Sequence, residues 1–180
     1  GIDLVYARPG ASLAAYSKLR IGPVSVAFRK DFDPAKPGSR LKYAPDELEK
    51  IRASVGRIVH DEFVKELAKG SYATTDAAGP DVLDVRASIV DLYVNAPDTM
   101  EPGRTRTYTM DAGEMTLILE LVDSTTGQVL ARVYDRREAR DTGRMTWTNS
   151  VTNQAEAANA ARSWAKILRT RLDAAHGIGK

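Results

Sequence analysis

The chain has 180 residues and a hydrophobic fraction of 43%, enough to bury a real core. Lys and Arg total 26 against 24 Asp and Glu, and a net charge of +2 gives no strong pull toward nucleic acid or an anionic membrane. Cysteine is absent, which excludes disulfides, thiolate catalysis and most structural zinc sites; no apolar run approaches the ~18 residues of a membrane-spanning helix.

Residue 1 is Gly rather than Met, so a trimmed or mature chain is expected, with any targeting segment upstream. Residues 3–6 are short and apolar before Arg8-Pro9-Gly10, and read as an edge strand. Residues 17–28 carry the first main strand. Leu19 and Ile21 hold one phase, Val24, Val26 and Phe28 the other, and the slip falls on Gly22-Pro23. Proline cannot donate to a ladder and glycine tolerates a kink, so a bulge of one extra residue is predicted there. Residues 29–45 are rich in Pro, Gly, Lys and Asp and read as a loop.

A helix is predicted from Pro45-Asp46-Glu47, where proline and carboxylates suit a first turn. Leu48, Ile51, Val55, Ile58, Val59, Phe63 and Leu67 form its apolar stripe, and Gly70 reads as its C-cap. Gly56 within it calls for a close packing contact, since glycine costs roughly 1 kcal/mol there relative to alanine. Residues 71–80 read as a loop and 81–95 as the second main strand, which slips phase near 89–90. Residues 95–113 read as a long loop in which 104–110 alternate weakly.

The clearest unit is an antiparallel hairpin. Met115, Leu117, Leu119 and Leu121 share one face, Asp123 to Gly127 supply the turn, and Val129, Ala131 and Val133 return. A final helix is predicted from Asn153, with Glu156 completing a box-like start and Ala157, Ala161, Trp164, Leu168 and Leu172 inward. The expectation is one α+β domain over 1–180, with 1–16 an N-terminal extension or edge strand. Its order is β-α-β-β-β-α: a two-layer fold with a mainly antiparallel mixed sheet and two long helices on one face.

Motifs for chemistry are absent: no G-x-S-x-G, no P-loop, no G-x-G-x-x-G. His60 lacks the second histidine of a zinc helix and reads as a helix-surface or boundary residue; His176 reads as a cation at a helix C-terminus. No catalytic residue, metal or cofactor is expected. One surface candidate stands out. Arg136, Arg137, Arg140, Arg144 and Trp147, aided by Arg104, Arg106 and Tyr108, read either as a solvated hairpin end laced with weak ion pairs or as an anion-binding rim.

Three segments, 5–28, 121–139 (LVDSTTGQVLARVYDRREA) and 158–173 (ANAARSWAKILRTRLD), resemble the bacterial domain-of-unknown-function family three-three-one-three. The resemblance implies an exported protein of the periplasm, held to a membrane by a lipidated cysteine upstream of Gly1. No site residues come with it. The expected function is therefore that of a non-catalytic envelope lipoprotein domain, binding another envelope protein or itself, with no nucleic acid as partner. An anion- or nucleic-acid-binding module using the arginine segment, or an enzyme of unknown type, is the alternative.

Overall fold

The computed structural model describes residues 2–29, 45–95, 111–138 and 150–179. Their order is β1 (Asp3–Ala7), a single 3-10 turn (Leu13–Ala15), β2 (Lys18–Ile21), β3 (Ser25–Phe28), α1 (Pro45–Leu67), β4 (Ala73–Thr74), β5 (Val82–Asn95), β6 (Asp111–Asp123), β7 (Val129–Glu138) and α2 (Ser150–Ala175). The strands form one sheet in the order β1-β7-β6-β5-β2-β4, with β3 also paired to β5. Strands β1, β7, β6 and β5 are antiparallel neighbours, whereas β2 and β3 run parallel to β5, and β4 parallel to β2.

Both helices cover the same face. Val55, Val59, Phe63 and Leu67 of α1 and Ala161, Trp164, Leu168 and Leu172 of α2 join one buried cluster with Leu83, Val85 and Ile89 of β5 and Leu117 and Leu119 of β6. Each such large side chain contributes roughly 1.5–3 kcal/mol by leaving water. Ala157, Ala160, Ala161 and Ala165 are all buried, and their small size lets α2 lie close to its neighbours. Along the seam between the helices, Arg162 meets Glu62 at 3.2 Å and Arg169 meets Glu66 at 3.3 Å. These pairs satisfy two mostly buried carboxylates.

The predicted strand over 17–28 is two strands, β2 and β3, laid end to end on β5. Ile21 faces Val85 and Ser25 faces Ser88, so four steps on one side match three on the other. The extra residue at Gly22-Pro23 is thus present, and it places both Leu19 and Val26 in the core. The slip in β5 is also present. Val90 faces Thr116 and Tyr93 faces Glu114, and Asp91 takes φ 54°, a left-handed conformation that Asp tolerates better than bulkier residues. After it Leu92 is buried again, in the phase opposite to Ile89.

Several boundaries differ from the sequence reading. The final helix starts at Ser150, not Asn153. Strand β6 begins at Asp111, inside the expected 95–113 loop, because Asp111 and Ala112 pair with Asn95 and Val94. Strand β4 lies inside the expected 71–80 loop. Gly70 is not a left-handed cap; a Cβ there would meet Arg169 Cγ and Asp173 Oδ1 at 3.0 Å, so the constraint is crowding against α2. Gly56 does have the close contact its position called for: a Cβ would lie 2.9 Å from the Val24 carbonyl oxygen. Of the expected loop over 29–45, residues 30–44 lie outside the described residues, as does the weak alternation over 104–110, while Pro45 already opens α1.

Candidate functional site

Of the eight surface candidates, Arg104, Arg106, Tyr108, Arg140, Arg144 and Trp147 lie outside the described residues. Arg136 and Arg137 are adjacent on β7, so the pleat sends them to opposite faces. Arg137 turns toward the helices. Its Nε donates to Asp135 Oδ2 at 3.1 Å, a terminal nitrogen donates to Ser163 Oγ at 3.0 Å, and its guanidinium lies 5.5 Å from the Trp164 ring. The Trp164 indole N–H donates to the same Asp135 oxygen at 2.6 Å. Arg137 is therefore part of the fastening of α2 to the sheet. Arg136 is exposed on the other face and is also engaged. The two arginines do not form one rim.

The histidines are unequal. His60 is partly exposed, 3.3 Å from Asp61. His176 does far more than complement a helix end. Its Nε2 lies 2.8 Å from the Tyr16 carbonyl oxygen, which can only accept, so that nitrogen donates. Its Nδ1 lies 2.8 Å from Ser71 Oγ, and its ring stacks on Tyr72 at 3.8 Å. Ser71 in turn donates its backbone N–H and hydroxyl to Asp173 Oδ1 at 2.8 and 2.9 Å. The Ser71 N–H above all holds the Asp173 carboxyl below its ordinary range. Serine, histidine and aspartate meet here, but the carboxylate sits on the serine and the far imidazole nitrogen is spent on a backbone carbonyl. That wiring does not make a nucleophile–base–acid relay. It fastens the N-terminal segment, the α1–β4 connection and the end of α2, where Gly177 at φ +80° and the Ile178 N–H to Asp173 carbonyl bond close a Schellman turn.

A second fastening holds the hairpin turn. Asp123 Oδ2 accepts from the Tyr16 hydroxyl at 2.6 Å, and Oδ1 accepts from Thr125 and Thr126 backbone N–H groups at 2.9 and 3.0 Å. The Tyr16 hydroxyl bond is the main cause that holds Asp123 well below the usual carboxylate range. Burial first, and then the carboxylate, pushes Tyr16 up to about 12.

Four of the six large apolar side chains exposed among the described residues, Leu4, Val5, Tyr6 and Tyr134, gather at one sheet edge. All five residues of β1 are exposed, and Leu4, Val5 and Tyr6 keep 55%, 60% and 41% of their accessible area. Val5 is an extra residue between the pairs Leu4–Val133 and Tyr6–Arg132, so β1 bulges there. Tyr6 shares the outer face with Tyr134, 37% exposed on β7, while Leu4 lies on the helix side. At the other edge, β4 covers only Lys18 and Leu19 of β2. A groove of about 600 Å³ remains between the β2–β3 segment and α1, with Pro23, Val24 and Val26 on one side and Arg52, Arg57 and His60 on the other. The sequence reading missed this groove, because its two walls come from segments without a shared pattern.

These features define a two-layer α+β fold with an apolar sheet edge at β1 that is unpaired among the described residues. The chain belongs to the family described as "Protein of unknown function (DUF3313)", which matches residues 1–168. Among solved structures it is similar to protein XCC0632 from Xanthomonas campestris, of family DUF330, at 13% identity and a TM-score of 0.51, covering 96% of this chain and 92% of that one. It is also similar to the PelC dodecamer from Paraburkholderia phytofirmans, at 12% identity and a TM-score of 0.45, covering 94% and 96%. A DUF4136 family protein from Bacteroides thetaiotaomicron aligns at 12% identity and a TM-score of 0.39, covering 92% and 96%. The likeness to XCC0632 is one of fold. No curated protein matches the chain.

Proposed function

We propose that this chain is a non-catalytic domain of the bacterial cell envelope, tethered by a lipid anchor, that binds other proteins through the edge of its sheet at β1. The observation that carries this reading is the exposure of Leu4, Val5 and Tyr6 on a strand with one unpaired side among the described residues. Such an edge offers a row of backbone donors and acceptors for another strand. Natural edges are usually guarded by Lys, Pro or inward charges, and β1 carries only Asp3. The envelope and anchor parts of the reading are supported by the family resemblance of the three quoted segments.

A photo-reactive residue at Val5, in the full-length gene product expressed in its own cell type, tests the binding surface. Discrete covalent adducts are expected from Val5, and not from an equivalent probe at Lys166 on the exposed side of α2. Adducts from both positions or from neither would overturn the reading of β1. Incorporation of an alkyne-labelled fatty acid into the same product tests the anchor.

A further inference from the structure

The stretch DLVYAR, residues 3–8, is complementary to itself read backwards. Asp3 stands at one end and Arg8 at the other, and among the described residues neither makes an ion pair. The faces are symmetric too. Asp3 pairs with Tyr134 and Tyr6 with Arg132 on the outer face, while Leu4 pairs with Val133 and Ala7 with Ala131 on the helix side. The Arg8 N–H donates to the Leu130 carbonyl at 2.8 Å, so the ladder runs one position further and the pleat returns Arg8 to the outer face. In a regular strand, residues 3 and 8 would face opposite ways. The extra residue at Val5 removes that mismatch, so the order outer face, helix side, bulge, helix side, outer face is the same from either end. The backbone follows suit. Because the Arg8 N–H points at β7, Ala7 turns its N–H and C=O away from β7 and Tyr6 turns them back. Leu4, opposite the next residue of β7, turns them away again.

We infer that the partner of β1 is β1 of a second copy, paired antiparallel about a two-fold axis between Val5 and Tyr6, so that one sheet runs through both molecules. The inference rests on the reading of β1 as the binding edge and names its partner. In this register Leu4 of each copy lies opposite Ala7 of the other, and the two exchange both backbone bonds. Val5 meets Tyr6, which takes the two most exposed apolar stretches of the strand out of water together. Asp3 meets Arg8 at both ends, so the charges left single in one chain are paired in two. Opposed side chains share a face throughout, which puts both helix layers on the same side of the joined sheet. A bulge ordinarily guards an edge against such pairing. Here it falls at the axis, where it brings the two halves of the strand into phase instead. The contact uses the same surface on both molecules, so it closes on itself and stops at the dimer. It is also short for a stable interface, so the dimer forms reversibly.

Sedimentation of the purified chain is expected to show a mass that rises with concentration to a dimer and no further. Asp3→Arg and Arg8→Asp each set like charges against one another at both ends and are each expected to leave monomers. Mixing these two variants restores opposite charges at both ends and is expected to restore the dimer, a result that misfolded variants would not give. Thiol trapping checks the register, since the chain has no cysteine of its own. A mixture of Leu4→Cys and Ala7→Cys is expected to cross-link on oxidation. Leu4→Cys alone is not, because its two copies lie about 10 Å apart along the strands, beyond the ~7 Å that a disulfide spans between Cα atoms. A wild-type chain that stays monomeric up to about 1 mM overturns the inference, and adducts from Val5 to other proteins in cells would then leave the reading of β1 standing. Oligomers that grow past the dimer, dimers that survive both charge variants, or Leu4→Cys alone trapping as well as the mixture would each overturn it too. Loss of both Val5 adducts and self-association would remove the two together.

Discussion

Gly56 shows how one missing methyl can decide a fold's geometry. In an exposed helix, glycine to alanine stabilises by roughly 1 kcal/mol. Here the added Cβ would lie 2.9 Å from a backbone oxygen at Val24, which cannot swing away as a side chain does. Gly56→Ala is therefore expected to reverse sign and destabilise by about 1–2 kcal/mol, measurable by denaturant unfolding. The Tyr16–Asp123 bond makes a second prediction at this scale. Asp123 titrates lower in the folded chain than unfolded, so its stabilisation is complete above about pH 4 and is lost as pH falls further. Tyr16 titrates higher, at about 12. Its stabilisation holds below about pH 10 and is lost as pH rises toward the folded value. Tyr16→Phe is expected to cost about 1–2 kcal/mol at neutral pH. The gap from wild type should narrow at both pH extremes in thermal melts. A gap that does not change with pH would mean that the pair does not exist.

Among the elements, α2 depends on one tryptophan. Trp164 is fully buried, and its indole shares Asp135 with Arg137. Trp164→Ala is expected to cost about 3–5 kcal/mol by cavity formation. Trp164→Phe should cost less but leave Asp135 with one donor fewer, which a lowered unfolding midpoint would report. The stripes of both helices and the β6–β7 hairpin were legible because their periodicity is local and each buries a single face. The slips at Gly22-Pro23 and near Val90 were legible for the same reason: a change of phase needs only the strand's own residues. What periodicity does not carry is the identity of a partner strand. Hence the parallel docking of β2 and β3 on β5 went unread, and two-residue β4 has no pattern to read. Asp111-Ala112-Gly113 looks like a turn by composition yet extends β6, because pairing with β5 outweighs local preference.

For the whole molecule, the contacts that fasten the N-terminal segment span the chain. Tyr16 meets Asp123 across 107 positions, and its carbonyl meets His176 across 160. No sequence spacing announces such contacts, which is why His176 read as a helix-end cation. The arginine segment is a local case by contrast. Arg136 and Arg137 are neighbours in sequence, but the two-residue pleat repeat divides them between the faces, and that division follows from their place on one strand alone. His176→Ala is expected to lower the melting temperature and to raise proteolysis near residues 8–17 selectively, because it frees the Tyr16 carbonyl and the face of Tyr72 together. Uniform cleavage along the chain would argue against that role.

The pairing of Leu4 with Val133 also imposes a sequence of events in time. A ribosome makes β1 early, yet the strand it leans on appears more than a hundred residues later. The β6–β7 hairpin can zip from its own turn, whereas β1 must wait and then close the longest loop in the sheet. Its amides should exchange with deuterium well before those of β5. During that wait the apolar strand is still unclaimed, and a chain made nearby could seize it before its own β7 arrives.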